Sequence, residues 1–200
     1  GLIASHGYVL QQYRVVTKDG YINTVHRVVP PGYDVLTYNQ ARKPVLIVHG
    51  VLADASAFYI ASPIVNSTET HCGDNLGFCM LRSERYDLWV ANIRGNRYSR
   101  DHARYHDKDK RYWTFSMNQI ALFDIPTFIG LVQQVTGHQT MGYIGYSQGA
   151  ATMLMLLSEQ PQYASIIRPF IALSPAVYVS NAKSIIKLPL IAAHPTLAQL

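Results

Sequence analysis

Residues 8–16 and 21–29 are dense in β-branched and aromatic side chains, and Lys18-Asp19-Gly20 between them supplies turn chemistry. The pattern predicts an antiparallel hairpin, ended by Pro30-Pro31-Gly32. Beyond it the character changes. Residues 45–48 form a short continuous apolar run, and similar runs recur at 88–93, 141–146 and 170–173. Such runs suit strands buried on both faces, as in a parallel sheet covered by helices. Helical spacing separates them. Ser116-Met117-Asn118-Gln119 reads as a capping box, and Ile120, Phe123, Leu131, Val132 and Val135 follow at helical intervals up to Gly137. Pro126 inside that stretch predicts a kink or two short helices. A second helix is expected from about 148 to 159, before Pro161.

Hairpin, strand and then alternating helix and strand predict an α/β fold: a mainly parallel sheet with an N-terminal antiparallel hairpin and helices on both faces. No linker divides residues 1–183, which read as the N-terminal part of such a core, without its C-terminal strands and most of the cap. Residues 184–200, apolar with two prolines, have no clear place in the sheet and read as the start of a further region.

Composition narrows the class. Apolar residues make up 48% of the 200 and charged residues 14%, which excludes a disordered chain. No apolar run reaches the length that spans a bilayer, so no transmembrane segment is expected. The chain opens on Gly1 without a signal peptide, the pattern of a processed chain or a fragment. The net charge is +5, and +4 of it lies between Arg94 and Arg111, where seven basic residues outnumber three acids. No nucleic-acid reader motif accompanies that stretch, so it reads as a solvated segment and no nucleic-acid partner is expected. Two cysteines are too few for a disulfide scaffold. Cys72 and Cys79 close a loop small enough for a bridge worth about 2.5 kcal/mol, while the apolar surroundings of Cys79 fit a buried thiol equally well. Asn66-Ser67-Thr68 is an N-glycosylation sequon, relevant if the chain enters the secretory pathway.

The sharpest signal is Gly145-Tyr146-Ser147-Gln148-Gly149, a Gly-x-Ser-x-Gly pentapeptide between an apolar strand and a helix. A nucleophilic serine on a strand-to-helix turn must present its hydroxyl at the sheet edge. Side chains two residues to either side would block that turn, and the helix N-terminus behind it favours developing negative charge. His49-Gly50-Val51 ends an earlier buried strand. In this architecture an amide after that strand and the amide after the nucleophile form an oxyanion hole, so Val51 and Gln148 are the candidates. His49 itself reads as a hydrogen-bonded shaper of the loop.

With these pieces placed, the chain resembles the acid lipase family, the lysosomal acid lipase and gastric lipase type, from about residue 7 to 184. The resemblance is carried by Thr17-Lys18-Asp19-Gly20-Tyr21, by residues 49–56 from His49-Gly50-Val51 to Ser56, and by Tyr86-Asp87-Leu88-Trp89 with Asn92-Ile93-Arg94-Gly95-Asn96. Tyr98-Ser99-Arg100-Asp101-His102, Trp113-Thr114-Phe115-Ser116, Phe123-Asp124-Ile125-Pro126, the elbow and Ala172-Leu173-Ser174-Pro175-Ala176 complete it. It implies an α/β-hydrolase fold and a secreted or lysosomal serine esterase. That enzyme would cleave triacylglycerols or cholesteryl esters at a lipid–water interface, without a metal or other cofactor. It also implies that Ser147 is the nucleophile and that residues 184–200 begin the cap. Two positions depart from the family pattern: Tyr146 stands where His is usual, and Val51 where Leu is usual. Residues 66–75 look like a loop insertion.

A nucleophilic serine needs a base and an acid to orient it, which in this fold follow it in the order acid, then His. After Ser147 the only acid is Glu159 and the only imidazole is His194. Glu159 lies twelve residues down the following helix, roughly 18 Å away at 1.5 Å per residue. The acid and base are therefore expected beyond Leu200, and the 200 residues read as the N-terminal part of a longer enzyme, inactive alone. A non-catalytic, truncated lipid-binding homologue is the alternative.

Overall fold

The computed structural model describes residues 1–60 and 75–178. A one-turn helix α1 (Leu2–Ser5) precedes β1 (Val9–Val16), β2 (Tyr21–Val29), α2 (Val35–Ala41) and β3 (Lys43–Val48). Then come α3 (Leu76–Arg82), β4 (Tyr86–Ala91), β5 (Asp101–His102), α4 (Met117–Gln119) and α5 (Ile125–Thr136). β6 (Met141–Tyr146), α6 (Gln148–Glu159) and β7 (Ile167–Leu173) follow. Among the described residues the strands form one sheet in the order β1-β2-β4-β3-β6-β7, with β5 paired to β2.

The expected hairpin is present, with Val9 opposite Val29 and Val16 opposite Ile22. The sheet is mixed. β2 also runs antiparallel to β4, whereas β4, β3, β6 and β7 run parallel. The apolar runs are central strands because alternate residues serve two cores. Leu46 and Val48 join Trp89, Phe128, Val132 and Met153 on the face covered by α5 and α6. Val45 and Ile47 join Leu88, Val90, Phe78 and Leu81 on the α3 face. The run at 170–173, expected to be buried on both faces, is paired on one side only among the described residues: Ile171 is 43% and Leu173 38% exposed, and Pro169, which cannot donate to the ladder, lies where the register of β7 against β6 shifts.

The capping box forms as the sequence predicts. Ser116 Oγ accepts the Asn118 N–H, and the Ser116 N–H donates to Gln119 Oε1 at 2.8 Å. The expected break at Pro126 takes a particular form. A π-helical turn, Ile120–Asp124, joins α4 to α5, and Pro126 sits in the first turn of α5, where its missing N–H costs nothing. Gly137 ends α5 with φ 76°, as a left-handed C-cap. Helices α2 and α3 were not expected. Each is seven residues long and is started by a side chain accepting the third amide on: Asp34 from Thr37 and Asn75 from Phe78, both at 2.8 Å.

The expectations for Asn66, Cys72, the 66–75 insertion apart from Asn75, and the 184–200 region fall outside the described residues. Cys79, in α3, is disulfide-bonded. No helix among the described residues is long and apolar enough to cross a membrane.

Candidate active site

The parallel strands β3 and β6 end side by side, with Val48 opposite Gly145, and the chain leaves both at the same edge of the sheet. Crevices of this kind, outside the carboxyl ends of parallel strands, are where open α/β sheets place their sites. β6 turns into α6 at Ser147, whose backbone is held at φ 51° and ψ −109°, far from the ordinary regions for a side-chain-bearing residue. The two flanking glycines are required by close approach. A Cβ on Gly145 would stand 2.5 Å from the Ala150 nitrogen, and one on Gly149 would stand 2.4 Å from the Val48 carbonyl oxygen. Only bare backbone lets α6 begin this close to β3 and β6. The turn is fastened on both sides: the Ser147 N–H donates to the Leu173 carbonyl of β7 at 2.8 Å, and the Ser147 carbonyl accepts from Ala150 and Ala151. Tyr146 is half exposed beside it.

Gly50 brings the second loop onto this turn. A Cβ at Gly50 would meet the Ser147 Cβ at 3.0 Å and the Tyr146 ring at 3.1 Å. Val51 and Leu52 follow, 50% and 87% exposed, with Leu52 at φ 60°. Neither the Val51 N–H nor the Gln148 N–H donates to a protein acceptor among the described residues. A cavity of about 720 Å³ opens here, with Gly50, Val51, Leu52, Trp113, Gln148 and Met155 on its walls.

His49 is buried and its ring is fully engaged. Nε2 lies 3.0 Å from the Ile93 nitrogen and 3.0 Å from Asn96 Nδ2, and Nδ1 lies 2.8 Å from the Gly50 carbonyl oxygen. A backbone N–H can only donate, so Nε2 accepts and Nδ1 carries the hydrogen. Burial pushes the His49 pKa down, which keeps the ring neutral. The other described imidazoles are occupied elsewhere. His102 Nδ1 accepts from Arg104 and Tyr105, and its Nε2 meets the Asp19 carbonyl. His138 bonds the Asn39 carbonyl, His26 faces Gln12, His106 pairs with Asp107, and His6 stacks on Phe78. None hydrogen-bonds to Ser147, whose hydroxyl has no partner among the described residues. His71 and His194 lie outside them. Glu159 ends α6, at the opposite end of the helix from the turn. No group of three or more His, Cys, Asp or Glu side chains among the described residues is placed to hold a metal ion.

Beneath the cavity lies a buried ion cluster. Arg94 donates through Nε and Nη2 to Asp124 Oδ1 at 2.8 and 2.5 Å, and its backbone N–H donates to Asp124 Oδ2 at 3.1 Å. Its Nη1 reaches Asp19 at 2.6 Å, and the guanidinium lies 3.8 Å from the centre of the Tyr21 ring. Burial pushes the Asp124 carboxyl up while Arg94 holds it back. For Asp19 burial also raises the pKa, but the Arg94 and Thr17 hydrogen bonds win and lower it. Sequence reasoning placed the elbow and its neighbouring loop. It read Arg94 as the start of a solvated basic segment, whereas the side chain is buried between Asp19 and Asp124, and it assigned no role to Asn92, Asn96 or Asp124, although all four lie in segments that carry the family resemblance.

Comparisons with known proteins bear on the fold and the family. Residues 43–194 match the alpha/beta hydrolase fold, and residues 1–62 match a partial alpha/beta-hydrolase lipase region. The chain is 34% identical to Lipase 1 of Drosophila melanogaster over 91% of its own length and 37% of that protein. It is 34% identical to the gastric triacylglycerol lipase of Rattus norvegicus, covering 93% of this chain and 44% of the relative. It is 35% identical to a putative lysosomal acid lipase/cholesteryl ester hydrolase of Crotalus adamanteus, covering 89% and 42%. The chain thus spans less than half the length of these relatives. Among solved structures, Pyrococcus furiosus esterase Pf2001 superposes with a TM-score of 0.58 at 17% identity, over 88% of this chain and 56% of that one. A bacterial membrane phospholipase A gives 0.56 at 15% identity, over 99% and 54%. The chain belongs to the alpha/beta hydrolase fold family and is similar along nine-tenths of its length to lipases of the gastric and lysosomal type.

Proposed function

We propose that this chain carries the nucleophile and oxyanion hole of a serine ester hydrolase of neutral lipids. The observation that carries the reading is Ser147, held in a strained positive-φ conformation between β6 and α6, with two unspent backbone donors in the adjoining segments. The Ser147 hydroxyl attacks the ester carbonyl. The Val51 and Gln148 amides stabilise the oxyanion, the alcohol departs, and water releases the acid from the acyl-enzyme. The base and the acid that orients it are supplied by His and Asp residues beyond Leu200. Triacylglycerols and cholesteryl esters are the substrate class, at a lipid–water interface. The location is secreted or lysosomal, with Asn66 glycosylated, in keeping with the gastric and lysosomal relatives.

Hydrolysis of p-nitrophenyl butyrate and of emulsified triacylglycerol tests this, using the 200-residue chain, the protein from its complete reading frame, and Ser147→Ala in the latter. The long form should turn over both esters, and Ser147→Ala should lose several powers of ten. The short chain should show little or no turnover. Full activity in the short chain, or in Ser147→Ala, refutes the assignment.

The alternative is a lipid binder without catalysis. That reading expects binding of lipid esters without hydrolysis in the long form, unchanged by Ser147→Ala.

A further inference from the structure

The loop after β4 holds both ends of the loop that carries Val51. At the near end, His49 Nε2 accepts from the Ile93 N–H, and its Nδ1–H donates to the Gly50 carbonyl. At the far end, the Ala55 N–H donates to Asn92 Oδ1 at 3.0 Å, and Asn92 is itself tied to the Thr24 carbonyl through Nδ2 at 3.1 Å. One side chain touches both anchors. Asn96 Nδ2 lies 3.0 Å from His49 Nε2 and 3.0 Å from Asn92 Oδ1, so its two hydrogens serve the two bonds at once. The other end of the same amide, Oδ1, accepts the Tyr98 and Ser99 N–H groups at 2.9 and 3.1 Å. These two donors fix which way round the amide sits.

The consequence for Val51 follows from peptide planarity. The Gly50 carbonyl and the Val51 N–H belong to one rigid, trans peptide unit and point in opposite directions. Fixing the carbonyl against His49 Nδ1–H therefore fixes the aim of the Val51 N–H. His49 can do this only while its ring stays in place and in one tautomer, and two donors at Nε2 secure both.

We propose that Asn96 is a positioning residue for ester hydrolysis at Ser147: its amide locks the His49 ring and the Asn92 anchor together, so that the Val51 N–H stays directed at the forming oxyanion. The proposal rests on the functional reading above. Asn96 also lines the cavity, so contact with substrate is the competing role.

The pair Asn96→Asp and Asn96→Ala separates the roles, in the protein from its complete reading frame, assayed on soluble p-nitrophenyl butyrate. Asn96→Asp keeps an acceptor for Tyr98 and Ser99 but deletes both donors. Asn96→Ala deletes everything. The expected result for both is a kcat lower by about 10- to 100-fold, the cost of a misdirected oxyanion donor, with KM within about twofold. The pH profile carries the signature. In Asn96→Asp a carboxylate faces His49 Nε2, alongside Asp54, the charged group whose field the ring already feels. A proton taken up at lower pH on that carboxyl would let its O–H donate to Nε2 in place of the lost amide, while Nε2 still accepts from Ile93 and Nδ1–H still holds the Gly50 carbonyl. The ratio of variant to wild-type kcat should therefore rise as pH falls for Asn96→Asp and stay flat for Asn96→Ala. Losses confined to KM, kcat within twofold of wild type, or ratios that stay flat with pH in both variants would overturn the proposal. A wild type without Ser147-dependent hydrolysis removes the functional reading first, and this inference with it.

Discussion

Gly50 and Ser147 come from segments nearly a hundred residues apart, yet a methyl group on Gly50 would stand 3.0 Å from the Ser147 Cβ. That contact welds the loop after β3 to the elbow after β6, and it sets the separation of the two amides on either side of the cavity. Gly50→Ala must push one of them aside. The Tyr146 ring is half exposed and can swing, but the Ser147 backbone is pinned by Leu173, Ala150 and Ala151. The loop should give way, lowering kcat about 10- to 100-fold with little loss of stability. Steady-state kinetics beside a urea melt checks both halves.

Gly149→Ala should act on the fold instead. Its new methyl would lie 2.4 Å from a backbone oxygen of β3, and neither strand nor helix can yield cheaply. Overpacking of this kind costs about 1–3 kcal/mol, and backbone contact places the change at the upper end. Denaturant midpoints of the variant and of the conservative core change Ile129→Val, expected to lose only about 1 kcal/mol, provide the scale.

Breaking the buried cluster should cost more than breaking a rim pair. The Arg94 and Asp124 side chains are wholly inaccessible, so Asp124→Asn leaves a guanidinium under-compensated in a dry site, a loss of about 3–5 kcal/mol. The Arg97 side chain is 61% exposed where it meets Asp54. Arg97→Gln should lose at most about 1 kcal/mol. Equal losses from the two variants in urea unfolding would contradict the distinction.

Acid should loosen the His49 anchor in a defined window. Burial lowers the His49 pKa below its ordinary 6.5, so the unfolded chain takes up a proton that the folded ring refuses. The stability this contributes is complete above pH 6.5 and is lost as pH falls from there towards the folded value. Burial lowers His26 likewise, with the same sign. The difference in unfolding free energy between wild type and His49→Gln, measured from pH 7.5 to 5.5, should shrink on acidification. A difference that grows would reverse the assignment of the neutral ring.

Much of the sheet was legible because its evidence is local. Density of β-branched and aromatic residues marked β1 and β2, continuous apolar runs marked the central strands, and the glycines around Ser147 fall within a five-residue motif. Helices α2 and α3 escaped because seven residues are too few to show a period, and Asp34 and Asn75 look like ordinary loop residues until an amide is seen bonded to them. The polar machinery escaped for the opposite reason. Asn96 meets His49 across 47 positions and Arg94 meets Asp124 across 30, and nothing local distinguishes these side chains from solvated ones.

The bond from the Ser147 N–H to the Leu173 carbonyl gives β7 a say in the chemistry. Leu173 is the final residue of β7, and the Ala176 N–H comes back to the Ser147 carbonyl at 3.5 Å. Any displacement of the polypeptide just downstream of that strand is transmitted straight to the serine, with no helix in between. A shift of β7 against β6 is thereby a shift of the backbone that carries the reactive hydroxyl.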